Sequence, residues 1–267
     1  MAAVWDPDAD ALLEPLPAEA LARIRRDLLS IVREPIAGIL VAPTDDMRIV
    51  MALCVGPEDT PYSGAAFVFK IRFPKDYPAS PPRVKFMTTG GGSVRMGPNL
   101  YANGKVCLSI LGTWMGPKWL PSFTLSTLLV SLHALFAPSP AFLEPGHEAA
   151  PAAEVTALND ALEHEVLRVA VLGQLGEGAA ASPPAYLTNS PELLETVREN
   201  FMLQAQGWIA RARDRAAGLD GKPFADPKYA KVRTWDTAPV FNFSLLADRI
   251  EAAEGMMLEK EEGGGGV

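Results

Sequence analysis

Asn99, in Gly97-Pro98-Asn99, and Cys107, in Asn103-Gly104-Lys105-Val106-Cys107-Leu108, place an amide and a thiol eight residues apart. A thiol can hold an acyl group as a thioester. A side-chain amide can stabilise the oxyanion formed when an amine attacks that thioester. The bland alternative is a small core residue, since free Cys packs well in protein interiors. Lys105 stands two residues before Cys107. It reads either as an exposed lysine or as a cation that lowers the thiol pKa.

These residues need a frame. Pro17 opens a helix at its first turn, and Leu21, Ile24, Leu28, Ile31 and Val32 keep helical spacing. Its other face carries Arg25, Arg26, Arg33 and Glu34, which is either a solvated face or a docking surface. Strands are predicted at 38–42, 48–55, 65–73 and 84–87. The third alternates Phe67, Phe69, Ile71 and Phe73 against Lys70 and Arg72. Turn-rich connections suit an antiparallel meander. Asp76-Tyr77-Pro78-Ala79-Ser80-Pro81-Pro82 is a stiff exposed loop. The segment 88–120 shows little regular pattern, which in a compact domain marks a functional loop. Ser122 or Thr124 then caps a helix with Leu125, Leu128, Leu129, Leu132 and Leu135. The order is α+β, with helices on one face of a four-stranded antiparallel sheet.

A break at 138–151 precedes helices predicted at 155–172, 191–217 and 245–261, with a small-residue linker at 176–184. Their apolar positions, including Leu158, Leu162, Val166, Phe201 and Trp208, imply a packed helical extension and not a mobile tail. The domains are therefore a tail at 1–16, a catalytic domain at 17–150, an extension at 151–262 and a flexible end at 263–267.

The chain has 267 residues and a net charge of −8, which disfavours general nucleic-acid or anionic-membrane binding. No apolar run approaches the ~18 residues of a membrane span. The acidic N-terminus lacks the features of a signal peptide. Two cysteines and no CxxC give no disulfide framework, and three scattered histidines give no zinc site. Reduced cysteines place the chain in the cytoplasm and nucleus.

Residues 17 to about 150 strongly resemble the ubiquitin-conjugating enzyme (UBC) family. The resemblance runs through Gly56-Pro57, Pro61-Tyr62-Ser63-Gly64, Phe73-Pro74-Lys75-Asp76-Tyr77-Pro78, Pro81-Pro82, Pro98-Asn99, Gly104-Lys105-Val106-Cys107-Leu108 and Trp119-Leu120-Pro121. Leu108-Ser109-Ile110-Leu111-Gly112-Thr113-Trp114, with a short insertion before Trp119, and Glu144-Pro145-Gly146-His147-Glu148 are most similar to the Z-type branch of the family. The giant hybrid conjugating enzyme–ligases are more distantly similar.

The resemblance implies the UBC fold and a cysteine acyltransferase. Cys107 would be the thioester acceptor and Asn99 the loop support and oxyanion donor. Pro98, Trp119 and Lys105 would support the active-site loop. Arg25 and Arg26 would dock the activating enzyme, and Pro78, Ala79, Pro121 and Ser122 a ligase. Partners would be ubiquitin or a ubiquitin-like modifier, an activating enzyme (for Z-type members a dedicated one) and a ligase. No metal or cofactor is implied, because ATP is used upstream by the activating enzyme.

Three departures stand out. The usual His before Pro98-Asn99 is Gly97, as in Z-type members. The usual acidic gate residue aligns with Phe142. The bulky aromatic of the Pro-rich loop is Ala79, which weakens the implied ligase contact. The segment 113–118 is either a lip near Cys107 or a longer surface turn. Trp119 reads as packing beneath the active-site loop. A silent UBC-fold scaffold and a conjugating enzyme for another ubiquitin-like protein are the competing functions.

Overall fold

The computed structural model describes residues 5–8, 15–144, 146, 148–176, 182–224 and 240–264, with side chains as far as Lys260. The chain divides into two compact units, Met1–Ala149 and Ala150–Val267.

In the first unit, helix α1 (Ala18–Arg33) precedes strands β1 (Ile39–Pro43), β2 (Ile49–Val55), β3 (Ala66–Arg72) and β4 (Arg83–Phe86). They form one antiparallel meander in the order β1-β2-β3-β4. Each strand lies within two residues of its predicted limits. Cys54 faces Phe67, Ala52 faces Phe69 and Val50 faces Ile71 across the β2–β3 ladder, so one sheet face is wholly apolar.

Helix α2 (Leu125–His133) buries Leu125, Leu128, Leu129 and Leu132. Of the two predicted caps, Thr124 is the one used, in a capping box with Thr127. Just past α2, Phe136 stacks on Phe67 at 4.5 Å and meets Tyr62 at 5.1 Å. His133 Nε2 lies 2.9 Å from the Val55 carbonyl, which ties the helix end to β2.

Two features of this unit differ from the sequence reading. Helix α1 buries Ala20, Ile24, Asp27 and Ile31, whereas Val32 is 75 % exposed. Asp27, a carboxylate 3 % exposed, takes the place of an apolar residue in the stripe. It accepts from the Tyr77 hydroxyl, from Arg23 Nε at 2.9 Å and from the Leu125 amide at 3.4 Å. One carboxylate therefore joins α1, the Pro-rich loop and the first turn of α2. Burial, followed by the bond to Asp27, pushes the Tyr77 phenol far above its ordinary pKa and keeps it a donor.

The second difference is in the expected tail. Pro7 is buried and Trp5–Asp8 lies on the outer sheet face. There Lys70 pairs directly with Lys85, and Arg72 with Arg83. Like charges opposed across a ladder repel. Asp8 bridges them, 2.6 Å from Lys70 Nζ and 2.8 Å from Lys85 Nζ, and Asp6 lies 3.6 Å from Lys85. The Pro7 carbonyl accepts from Arg72 at 3.3 Å. Burial opposes the Asp8 carboxylate, but the two lysines hold its pKa below the ordinary value. Residues 9–14 of the expected tail lie outside the described residues.

The second unit has its own core. Helix α3 (Ala152–Glu165) passes through a π-helical stretch, Val166–Leu172, into the short α4 (Gly173–Leu175). After α5 (Ala185–Thr188) come α6 (Pro191–Leu219) and α7 (Phe243–Gly264). Helix α6 buries Leu193, Val197, Phe201, Ala205, Trp208 and Ala212, a stripe at three- and four-residue spacing. It is joined to α7 by Arg213–Glu251 at 2.7 Å and Gln206–Glu254 at 2.6 Å. Arg215 reaches back to Asp160 at 3.2 Å and Glu163 at 2.8 Å on α3. Most of the predicted linker, 177–181, lies outside the described residues. The first two residues of the expected flexible end, 263–264, close α7, and the rest also lies outside.

Two outcomes follow from this architecture. Asp27→Ala removes one partner of a buried charged network, so its denaturant midpoint should fall by the equivalent of about 3 kcal/mol or more with an unchanged slope. Asp8→Asn should raise the rate at which acetic anhydride modifies Lys85 at fixed pH, read by peptide mass spectrometry. The Asp8 carboxylate otherwise keeps Lys85 protonated. Because the Asp8 pKa is lowered in the folded chain, its ion pairs hold above the ordinary carboxylate range. They should be lost only as pH falls through that lowered value.

Candidate active site

The segment after β4 contains a small hairpin. Lys85 bridges Lys105, and the Phe86 amide donates to the Gly104 carbonyl at 2.8 Å, which hangs the hairpin on the sheet edge. Within it Leu100 pairs with Val106, the Tyr101 amide donates to Lys105 O at 3.0 Å, and the Cys107 amide donates to Asn99 O at 2.9 Å. Side chains alternate across such a pairing. Leu100 and Val106, each 1 % exposed, point into the core. Asn99, Tyr101, Lys105 and Cys107 therefore share the opposite face.

The backbone at both ends of the hairpin depends on glycine. At Gly104, φ is +88° and a Cβ would lie 2.8 Å from the Phe86 carbonyl oxygen. At Gly97, φ is +135° and a Cβ would lie 2.8 Å from the Tyr62 hydroxyl, which donates to the Met96 carbonyl at 2.8 Å. The residue that replaces the usual His thus leaves room for a buried tyrosine hydroxyl.

Asn99 is 7 % exposed, and its Nδ2 donates to the Cys107 carbonyl at 2.9 Å. With the backbone bond in the other direction, Asn99 and Cys107 hold each other at both ends. The Asn99 Oδ1 is buried with no hydrogen-bond partner in the structure. Thr113, at the start of the insertion, fixes the other side of the cysteine. Its hydroxyl accepts from the Leu108 amide at 2.9 Å and donates to the Val106 carbonyl at 2.6 Å. The tip beyond it is open, with Met115 80 % exposed.

Cys107 is 1 % exposed. Burial pushes its thiol above the ordinary pKa. The charge of Lys105, the neighbouring Tyr101 hydroxyl and the charge of Arg95 act the other way, and Glu144 adds to burial. Lys105, half-buried on the same face of the hairpin, is the neighbour whose charge most favours the thiolate. Glu144 is an acid whose charge acts on the cysteine and that the sequence alone did not single out; Phe142 is 44 % exposed. Cys54, by contrast, is fully buried in the sheet and its thiol is pushed up to about 12 by desolvation alone.

The remaining predicted residues fall into two further groups. Trp119 is buried. Its Nε1 donates to the Pro78 carbonyl at 2.8 Å and its ring meets Phe123 at 5.7 Å, so it braces the Pro-rich loop. Arg23 donates to the carbonyls of Pro121 at 3.1 Å and Phe123 at 2.6 Å. Pro78, Ala79, Pro121 and Ser122 thus belong to two loops fixed by Trp119 and Arg23, with Ala79, Pro121 and Ser122 exposed. Arg25 and Arg26 lie elsewhere, on the exposed face of α1, where Ala22, Leu29, Ser30 and Arg33 complete a shallow depression. Pro98 sits in the turn between Gly97 and Asn99, and the Arg95 side chain bonds its carbonyl. Among the described residues no group of His, Cys, Asp and Glu could hold a metal ion, and no helix is long and apolar enough to cross a membrane.

Comparison with known proteins bears directly on this geometry. The family model for "Ubiquitin-conjugating enzyme" matches residues 23–164. The chain is 43 % identical to ubiquitin-conjugating enzyme E2 Z of Xenopus tropicalis over 96 % of its length and 79 % of that protein. It is 42 % identical to the Homo sapiens E2 Z over 84 % of its length, and spans 62 % of the human protein. A solved structure, human ubiquitin-conjugating enzyme E2 G1, is 34 % identical with a TM-score of 0.39, covering 46 % of this chain and 98 % of the other. With the family model spanning the sheet, the hairpin of Asn99 and Cys107 and the helix beyond them, the chain belongs to the ubiquitin-conjugating enzyme family.

Proposed function

We propose that the chain accepts ubiquitin, or a ubiquitin-like modifier, from an activating enzyme as a thioester on Cys107 and passes it to a substrate lysine or to a ligase. The observation that supports this most directly is the reciprocal hold between Asn99 and Cys107, because it fixes an amide donor beside the one cysteine of the chain that lies on a loop. In charging, the Cys107 thiolate attacks the carbonyl carbon of the incoming thioester and the activating enzyme's thiolate leaves. In discharge, an amine attacks the same carbon, the C–S bond breaks and the amine's proton passes to solvent. Asn99 Nδ2 turns from the Cys107 carbonyl to the oxyanion formed in this step. Since Cys107 is 1 % exposed, neighbouring side chains must move to admit the acyl group.

The exposed Arg25 and Arg26 suit recognition of an acidic surface on the activating enzyme, with rim charges acting mainly on association rate. The two loops carrying Pro78, Ala79, Pro121 and Ser122 suit a ligase that does not need an aromatic grip. The helical unit after Ala149 suits selection of the activating enzyme or modifier. The presence of Cys107 with its partners speaks against a silent scaffold. We assign the activity to the cytoplasm and nucleus, where both thiols stay reduced.

Charging assays with separate modifiers and activating enzymes test the reading. Cys107→Ser should replace a reducible adduct with a thiol-resistant ester, Cys107→Ala should give no adduct, and Cys54→Ser should still charge. A reducible adduct on Cys107→Ala would sink the assignment. Asn99→Asp keeps the shape but loses the donor. Its preformed thioester should discharge to free lysine on the order of 100-fold more slowly while charging is little changed. An equal loss in both steps would assign Asn99 to loop support alone.

A further inference from the structure

Asn99 can serve as a donor only if the turn that carries it is held still. In Met96-Gly97-Pro98-Asn99 every residue is buried, so each backbone carbonyl needs a partner. The Tyr62 hydroxyl donates to the Met96 carbonyl at 2.8 Å, and the Cys107 amide donates to the Asn99 carbonyl at 2.9 Å. Between them, Gly97 has no side chain and Pro98 no amide hydrogen, and the Leu100 amide reaches the Gly97 carbonyl at 3.3 Å. Arg95 fills this gap. Its Nε donates to the Gly97 carbonyl at 2.9 Å, and a terminal nitrogen donates to the Pro98 carbonyl. Arg95 is itself braced on two sides. Its guanidinium carbon lies 4.2 Å from the centroid of the Tyr101 ring, and Glu144 Oε2 stands 3.6 Å from a terminal nitrogen. That carboxylate oxygen is buried without a hydrogen bond among the described residues, so the ion pair is its compensation. The Arg95 side chain is 13 % exposed, which withdraws the pair from solvent screening. Glu144 follows the short turn Pro140–Leu143 beyond α2. A planar guanidinium suits this task because its fork holds two carbonyls at once.

We propose that Arg95 is a positioning residue for Asn99, clamping the Gly97-Pro98 turn by its two carbonyls, and that Glu144 holds Arg95 in place from the segment after α2. The inference rests on the thioester reading of Cys107 and adds a residue that acts through the Asn99 amide. When an amine attacks the acyl carbon on Cys107, the C–N bond forms and an electron pair moves onto the carbonyl oxygen. The pair returns as the C–S bond breaks, the sulfur leaves as thiolate and the amine's proton passes to solvent. Asn99 Nδ2 must stand at that oxygen while it bears charge, and a displacement of about 1 Å forfeits much of the gain. Without Arg95 the buried Pro98 carbonyl loses its donor, and the turn must shift to recover one.

Arg95 also carries a charge that favours the Cys107 thiolate, as does Lys105, while Glu144 opposes it. The test therefore separates charge from reach. Arg95→Lys keeps the cation but lacks the fork that spans two carbonyls. In the uncharged full-length chain, hydrogen exchange at the Cys107 amide, read by NMR, should quicken roughly tenfold or more, as for the loss of one hydrogen bond to a charged group. The amides of the β2–β3 ladder should keep their rates, and iodoacetamide alkylation of Cys107 should keep its pH midpoint. Glu144→Gln should reproduce the exchange effect in weaker form. Discharge of preformed Arg95→Lys thioester to free lysine should slow roughly tenfold or more. In an Asn99→Ala chain the same substitution should slow discharge little further, since both act through one amide. Parent-like discharge in Arg95→Lys, its full effect persisting in Asn99→Ala, or unchanged exchange at the Cys107 amide would each overturn the proposal. Faster exchange in a chain that never charges would instead sink the transferase reading and leave the hold of Arg95 on the turn standing.

Discussion

The backbone pairing of residues 99–101 with 105–107 is the constraint on which the site depends. The Leu100–Val106 bridge sends two apolar side chains inward and so places Asn99, Tyr101, Lys105 and Cys107 together on the opposite face. A shift of one residue in this register would turn Leu100 and Val106 out of the core and break the hold between Asn99 and Cys107. The pairing is protected at every point where it could slip. Gly104 permits the turn against the Phe86 carbonyl, the Phe86 amide anchors the turn to the edge of the sheet, and Thr113 holds Val106 and Leu108. The same anchoring covers the edge of β4, which would otherwise offer unpaired backbone groups to another chain.

Around the hairpin the scaffold is organised by buried polar groups as much as by its apolar core. Asp27 joins α1, Tyr77 and the start of α2, and Arg23 beside it holds the carbonyls of Pro121 and Phe123. Trp119 links that second loop to Pro78. Two loops separated in sequence are thereby fixed as one surface, and a substitution on α1 can disturb them without touching either. The charges on the outer sheet face follow the same logic. Opposed lysines and arginines on β3 and β4 would repel, and an acidic segment from the N-terminus neutralises them.

Periodicity carried most of the fold. Phe67, Phe69 and Ile71 at period two, and Leu125, Leu128, Leu129 and Leu132 at helical period, lie where their patterns put them because burial of one face dominates each element. What escaped the sequence reading was polar and non-local. Asp27 interrupts an apolar stripe, and only its distant partners Tyr77 and Leu125 explain its burial. Val32 fits the helical spacing yet meets no partner face. Asp8 looks like part of an acidic tail until the Lys70–Lys85 pairing is known. In the site, the motifs located Cys107 and Asn99, but they did not show where Trp119 points. One signal for Tyr101 was present and unused. In Asn99-Leu100-Tyr101 and Lys105-Val106-Cys107, polar and apolar residues alternate on both arms of a glycine turn, which is the pattern of a hairpin with one buried face.

The two cysteines show why residue type alone does not make a nucleophile. Cys54 lies opposite Phe67, and desolvation is the only influence on its thiol. Its burial in the sheet keeps the thiol protonated. Cys107 is also shut off from solvent but less deeply set, and burial raises its pKa as well, while Lys105, Tyr101 and Arg95 oppose that effect. The balance suits a carrier. A thiol held mostly protonated at rest is protected from the oxidation to which exposed thiolates are prone. In the proposed function the same neighbours favour the anion at the two moments when sulfur would bear charge, as it attacks and as it leaves. A fully exposed, strongly acidified thiol would ionise more readily but would also be a weaker nucleophile. In the proposed function, burial with compensating neighbours is an arrangement that suits one sulfur both to accept an acyl group and to release it.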